Sequence, residues 1–537
     1  MRTLLLASAA LLSSPAAAQS PAKPPKLIVA ISVDQLSSDL FDSYRPQFTG
    51  GFRRLLDGGV LFANGYQSHA ATETCPGHST LLTGRHPAAT GIVANNWIDQ
   101  GAARSDKSVY CAEDERVAGS TSSAYTVSPE HLRVPTLGDR LKAVSPQSRS
   151  VAVAGKDRAA IMMGGRAVDQ RWYWNGKDWV TDRPGAALPR SAVGARQFTA
   201  SRVAEAQPGL EAPAQCQARA RSFPVTPALS VGSGRFARAA GDARGFRASP
   251  EIDGMTLALA ASLVGELKLG GGAATDILSV GLSATDYVGH SYGWGGQEMC
   301  LQMLSLDRDL GDFFARLDSF GVDYAVVLSA DHGGMDIPER LRAAGNTAAQ
   351  RADPALAAGE IGKLLAPQFG RQQSVLLGEG IGGDVWLDRG IPAVVRPRVL
   401  SAAVQRFRAH PQIETVFTAA ELSATPLPTG DPKGWTLIQR VRASFDLARS
   451  GDLYVVLKQF VSPVARPSTG YTATHGSAWD YDRRVPILFS YRGIRPAAPG
   501  ASADTTDILP TVASWIGLTV EPDSIDGRCR SEAASCR

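Results

Sequence analysis

Residues 26–36 read KLIVAISVDQL, a continuous run of apolar, largely β-branched residues that closes on an acid. A strand that is apolar throughout, with no polar alternation, is one buried on both faces, as in a parallel sheet covered by helices. The chain then reaches FRRLLDGGV at 52–60, which predicts a helix stopped by Gly58 and Gly59. Together they form a β–α unit. Runs of the same character recur at 150–154 (SVAVA), 276–282 (DILSVGL), 324–329 (YAVVLS) and 485–490 (VPILFS), with helical patterns at 252–267 and 300–317 between them. The fold class expected is α/β: a central, largely parallel sheet with helices on both faces.

Two stretches break this rhythm. Residues 101–132 are polar and turn-rich, and 340–470 carries only short strand-like pieces, GDVWL at 383–387 and DLYVVL at 452–457. Both read as cap insertions in one domain spanning 26–520, with 521–537 as a C-terminal tail. The 537 residues are 44% hydrophobic and 20% charged, a globular balance with room for a large core. The net charge of +4 comes from scattered basic residues and not from a Lys/Arg block, so no nucleic-acid polymer is expected as a partner, and no protein partner is evident.

At the N-terminus, Arg2, an apolar stretch at 4–12 and the small run Ala16, Ala17, Ala18 have the three parts of a secretory signal, with cleavage after Ala18 and a flexible mature N-terminus at 19–25. The apolar stretch is too short to span a bilayer core, which takes about 20 residues. The expected protein is therefore periplasmic or secreted, without stable membrane insertion. Six cysteines in a chain bound for an oxidising compartment imply three disulfides. Cys529 and Cys536 are near neighbours in the tail and are paired first. Three pairings remain open for Cys75, Cys111, Cys216 and Cys300.

Ligands of an open parallel sheet bind beyond the carboxyl ends of its strands. Asp34 ends the first run; Asp286 follows DILSVGLSAT with His290 one helical turn on; Asp331 and His332 directly follow YAVVLSA; His475 precedes RRVPILFS. Each alone reads as a cap or a satisfied core histidine. Jointly, three acids and three histidines offer the oxygen and nitrogen donors that suit zinc, and six donors exceed one tetrahedral site. A two-metal centre follows. Thr74, in ATETCPGHSTLLTG, stands just before Pro76 at a predicted helix N-terminus, where free amides and partial positive charge stabilise an alkoxide and a phosphoryl oxygen.

These stretches carry a family resemblance. SVDQL at Asp34, TETCPGHST at Thr74, GKDRAAI at Lys156 and Arg158, TDYVGHSYG at Asp286 and His290, SADHGG at Asp331 and His332, THGS at His475 and the closing DILPTVASWIGL resemble the alkaline phosphatase superfamily. Within it the sequence is most similar to exported alkaline phosphatases with a threonine nucleophile, which share their core with nucleotide pyrophosphatases/phosphodiesterases. The resemblance runs in order across nearly the whole chain.

It implies that Asp34, Thr74, Asp331 and His332 hold one zinc and Asp286, His290 and His475 the other. It further implies that Asn95, Lys156 and Arg158 contact the phosphoryl group, with the adjacent Asn96 able to exchange with Asn95. Two Zn²⁺ balance three carboxylates and a Thr74 alkoxide, and the pair Lys156 and Arg158 matches a phosphate monoester dianion better than a diester monoanion. The expected activity is phosphate monoester hydrolysis of broad specificity through a phosphothreonine intermediate. The alternatives are a phosphodiesterase or nucleotide pyrophosphatase on the same core, and a non-catalytic periplasmic phosphate or metal binder. A sulfatase would need Cys-x-Pro-x-Arg, whereas Pro76 follows Cys75 at once. His69, His78, His86, His131 and His410 match no ligand position and are expected to be structural or solvent-facing.

Overall fold

The computed structural model describes residues 23–183 and 188–536; the expected signal at 1–18, and residues 19–22 of the expected flexible segment, lie outside these. The sequence-deciding run forms the strand Leu27–Val33, buried at every position, in the interior of a nine-stranded sheet. It pairs in parallel with Asp276–Leu282 on one side and Tyr324–Ser329 on the other, Leu27 facing both Asp276 and Tyr324. The parallel order continues outward through Ser150–Ala154 and Gln170–Trp174.

Leu27, Val29, Ile31 and Val33 point into one core, with Phe41, Phe52, Leu257 and Leu306 from the helices of that face. Ile28 and Ala30 point into the other, against Phe62, Leu81, Leu509 and Val512. Each aliphatic side chain so buried contributes roughly 1.5–3 kcal/mol. This two-sided burial is why no polar alternation interrupts the run.

Two strands depart from the parallel order, the short edge strand Trp179–Val180 and one of the runs read from the sequence. Arg484–Ser490 lies antiparallel to both Tyr324–Ser329 and Val60–Tyr66. Its apolar run reports burial on both faces, which is equally true of either direction. The chain reaches it only after the long excursion from 340 to 470, so no crossover helix constrains its direction.

Within that excursion a separate four-stranded antiparallel sheet forms, in the order Leu376–Leu377, Gly383–Leu387, Leu453–Leu457, Ile413–Thr418. It has its own core with the helices Ala358–Leu365 and Arg396–Arg408. The 101–132 segment begins inside a small hairpin, Asn96–Ile98 against Ser108–Tyr110, and packs on Ile161 and Met162. Disulfides join Cys529 to Cys536, as expected, and Cys75 to Cys111 and Cys216 to Cys300, which selects one of the three open pairings. Among the described residues no helix is long and apolar enough to cross a membrane.

Candidate metal and phosphoryl site

The loops leaving the central strands converge. Asp34 follows Leu27–Val33 directly and its N–H donates to Leu282 O across 2.9 Å, so its carboxylate leaves the sheet between two parallel neighbours. Gln35 comes next with φ of 62°, a left-handed conformation uncommon outside glycine. From there its N–H donates to Asp331 Oδ1 at 3.1 Å and its side-chain amide to Asp286 Oδ1 at 3.0 Å. Asp286 lies in the first turn of the helix Ala284–Tyr292, and His290 stands one turn on. Gly289 between them has no room for a side chain: a Cβ would lie 1.6 Å from Gln35 Oε1.

Thr74 opens the helix Thr74–Leu81, every residue of which is buried. A Cβ on Gly77 would fall 1.8 Å from the Asp331 carbonyl oxygen, so glycine is what lets this helix press against the Asp331 loop. Asn95 is tied to the same helix end. Its Oδ1 accepts from Cys75 N–H at 2.8 Å and its own N–H donates to Glu73 Oε2 at 2.6 Å. Asn96 instead directs its amide to Ser108 Oγ at 3.4 Å.

The six strand-end donors meet in one cluster, its three acids and His332 buried and His290 and His475 half-buried. His290, His332 and His475 each place Nδ1 2.8 Å from a backbone carbonyl, of Ala473, Gly333 and Thr72 respectively. That pins each ring and turns Nε2 toward the acids: His290 and His475 lie 3.3 and 3.4 Å from Asp286 Oδ1, and His332 lies 3.2 Å from Asp331 Oδ2. The rings of His332 and His475 stack with centroids 3.5 Å apart. Burial pushes His290 down, and burial with the charge of His332 brings His475 down to about 4, which favours the neutral imidazole a metal takes. Burial opposes charge on Asp286, but His290 and Lys156 outweigh it and hold the carboxyl well below its usual range.

Thr74 Oγ1 is buried without a hydrogen-bond partner, and the Asp34 oxygens, Asp331 Oδ2 and His332 Nε2 are buried with ion-pair contacts at 2.9–3.3 Å but no well-aligned hydrogen bond. Buried acceptors are normally satisfied, so several such atoms converging on one space fit a cation held by this donor set. Two subsets bring their ligand atoms within 4.8 Å of one another: Asp286, His290 and His475, and Asp34, His78 and Asp331. Lys156 Nζ reaches from one to the other, 2.9 Å from Asp34 and 2.5 Å from Asp286, over the Tyr287 ring. Above the cluster opens a cleft of about 420 Å³ lined by Asn95, Arg158, His290 and His475 on the sheet side and Glu379 and Tyr454 on the cap side.

The model of the type I phosphodiesterase / nucleotide pyrophosphatase family matches residues 28–478, which include every one of these donors. The chain belongs to this family. It is 52% identical to alkaline phosphatase PhoK of a Sphingomonas species, over 95% of this chain and 91% of that one. It is 45% identical to alkaline phosphatase PhoD of Zymomonas mobilis, over 95% and 89% of the two chains. The fold superposes on the crystal structure of alkaline phosphatase PafA with a TM-score of 0.83 and 26% identity, covering 96% of this chain and 100% of that one.

Of the residues expected in the site, Asn95, Arg158, His290 and His475 line the cleft, Asp34, Lys156, Asp286, Asp331 and His332 are joined by contacts beneath it, and Thr74 opens the helix whose His78 meets Asp34 and Asp331. Two residues with roles here, Gln35 and Glu73, carry no mark in the sequence, and a third, His78, stands out only by lying one helical turn from Thr74. Gln35 bridges Asp286 and Asp331, and nothing marks it beyond its place after Asp34. Glu73 holds Asn95. His78, expected to be merely structural or solvent-facing, is fully buried between Asp34 and Asp331, 3.3 Å from each, with Nδ1 donating to Thr74 O. Its i, i+4 spacing from Thr74 was the available signal.

Proposed function

We propose that this protein is an exported alkaline phosphatase that hydrolyses phosphate monoesters of broad range at a two-zinc centre, through a phosphothreonine intermediate. The observation that carries the reading is the pair of Asp/His donor groups, with Thr74 at the N-terminus of the helix that supplies His78, Lys156 bridging the two groups and Arg158 lining the cleft above. The relatives named alkaline phosphatases support it over nearly the full chain. A solved PafA variant carries replacements of a Thr, an Asn, a Lys and an Arg in that chain order, the same four types as Thr74, Asn95, Lys156 and Arg158.

In this reading Asp34, Thr74, Asp331 and His332 hold one zinc, and Asp286, His290 and His475 the other. Bound zinc supplies Lewis acidity, which favours the ionised Thr74 hydroxyl and stabilises negative charge on phosphoryl oxygens. The chain's own groups position the reaction. The Thr74 N–H at the start of Thr74–Leu81 and the Asn95 side-chain NH2, whose Oδ1 is held by the Cys75 N–H, donate to the phosphoryl group, while Arg158 and Lys156 match its second negative charge. The ionised Thr74 Oγ1 attacks phosphorus as the ester P–O bond breaks, the leaving alkoxide takes a proton from water, and a water then cleaves the phosphothreonine P–O bond to return Thr74 and orthophosphate.

The family also includes phosphodiesterases, and the two charges of Lys156 and Arg158 favour the monoester over the diester. Turnover of an aryl phosphate and a bis-aryl phosphate by the purified, metal-loaded protein decides between them. The monoester is expected to be the faster substrate; a faster diester would reverse the assignment.

A further inference from the structure

Arg158 is followed into its surroundings by a network that nothing in the resemblance assigns. Asp157, the residue before it, is the carboxylate closest to it along the chain. Both Asp157 oxygens are already engaged: Tyr110 O–H donates to Oδ1 at 2.8 Å and Tyr125 O–H to Oδ2 at 2.7 Å. The Arg158 backbone N–H adds a third donor to Oδ1 at 2.7 Å, and the Arg158 guanidinium donates to the Tyr110 oxygen at 3.4 Å. The two rings lie against each other with centroids 4.5 Å apart.

Tyr110 and Tyr125 belong to the hairpin and insertion that interrupt the sheet pattern before residue 132. That segment is itself braced. Tyr110 N–H donates to Glu113 Oε1 at 2.8 Å, Arg104 pairs with the same buried carboxylate at 2.5 Å, and Cys111 is bonded to Cys75, the neighbour of Thr74. The segment thus ties the nucleophile's helix and Asp157–Arg158 to one rigid piece.

From this geometry we infer that Tyr110 and Tyr125 are specificity-determining positioning residues: by occupying both Asp157 oxygens they keep that carboxylate from pairing with the Arg158 guanidinium, which stays available to the second negative charge of a monoester. The inference rests on the proposed role of Arg158. Removing the hydroxyls frees Asp157 to capture Arg158, and a captured guanidinium no longer discriminates a dianion from a monoanion. One lost hydrogen bond to a charged group corresponds to about a tenfold change.

The test compares Tyr110→Phe/Tyr125→Phe with the parent protein, metal-loaded, on an aryl phosphate and a bis-aryl phosphate. The expected result is a fall of about tenfold in kcat/KM for the monoester with the diester within about twofold. Adding Asp157→Asn to the double variant, which removes the competing carboxylate, is expected to restore part of the monoester rate. Should the double variant melt early, Tyr125→Phe alone, at a half-buried ring, moves the monoester/diester ratio in the same direction. Equal losses on both substrates, or no loss on either, overturn the inference. Arg158→Ala separates the two levels. If it spares the monoester rate, the Arg158 assignment fails and takes the inference with it; if it lowers that rate selectively while the tyrosine variants do not, only the inference fails.

Discussion

The side-chain amide of Gln35 donates to Asp286 Oδ1 at 3.0 Å, from a residue whose own N–H holds Asp331 Oδ1 at 3.1 Å. One residue therefore sets the spacing between carboxylates assigned to two different metals. Its left-handed backbone is a strain accepted at the centre of the site.

Gln35→Ala removes the bridge to Asp286 while leaving the backbone donor. Partners that orient a metal ligand are worth roughly 10–100-fold in affinity or activity. A loss of that size in zinc affinity, read by competition with a chelator, is expected. Affinity within twofold of the parent would show that Gln35 only fills space.

His78 contacts both acids of the second donor group, yet His332 is the histidine assigned to the metal there. His78→Gln is expected to weaken zinc binding about 10–100-fold without emptying the site, whereas His332→Ala is expected to lose one metal equivalent per chain relative to the parent. Metal content per chain by elemental analysis checks both. If His78→Gln loses a whole equivalent and His332→Ala does not, the two histidines exchange roles.

Thr74→Ala retains metal and loses turnover by at least about a thousandfold, as expected of a missing nucleophile. Thr74→Ser, which keeps a hydroxyl, recovers part of it. Trapping a phosphorylated chain in the parent and in the Ser variant, but not in the Ala variant, checks the assignment directly; unchanged turnover in Thr74→Ala would refute it.

Gly77→Ala is expected to lower the melting temperature and the activity together. The added Cβ would sit 1.8 Å from the Asp331 backbone oxygen, a rigid partner, so the nucleophile's helix and the Asp331 loop must separate. Overpacking of this kind costs about 1–3 kcal/mol or more. A variant as stable as the parent would show that the helix can slide at little cost.

A pH dependence follows from the trio of buried His86, buried Asp504 and partly exposed Asp526, which joins the stretch after the nucleophile's helix to the C-terminal region at 3.1 and 3.2 Å. Burial opposes charge on His86, but Asp504 and Asp526 outweigh it and raise the ring from 6.5 to about 10. Burial also opposes the Asp504 charge, and His86 overcomes it to bring that carboxyl down to about 2. The raised histidine stabilises the fold fully below about pH 6.5 and ceases to do so as pH rises through about 10; the depressed acid contributes above about pH 4 and is lost as pH falls through about 2. Melting temperature should therefore decline from pH 7 to 10, and His86→Gln should flatten that decline. Identical slopes in parent and variant would remove His86 as its source.

Much of the site was legible because strand ends advertise themselves. Asp34, Asp286 and Asp331 each follow an apolar run that can only be a buried strand, and buried parallel strands deliver their next residues to one edge of the sheet. The Cys529–Cys536 bridge was legible for the same local reason, since few residues separate its ends. Other features carried no local mark. The antiparallel entry of Arg484–Ser490 is invisible in a run whose hydrophobicity reports burial alone. The contacts of Gln35, of His78, and of Tyr110 and Tyr125 with Asp157 each join groups far apart along the chain or hidden in a polar insertion.

The sequence by itself determined which groups are buried, which acids and histidines stand at strand ends, and hence the donor chemistry, because hydrophobic periodicity and residue type are local properties. Only the tertiary structure decided that His332 stacks on His475, that Lys156 reaches between Asp34 and Asp286, and that an insertion's two tyrosines occupy the carboxylate beside Arg158. Those relationships depend on strand order and loop closure, which are set by packing across the whole chain and not by any stretch of it.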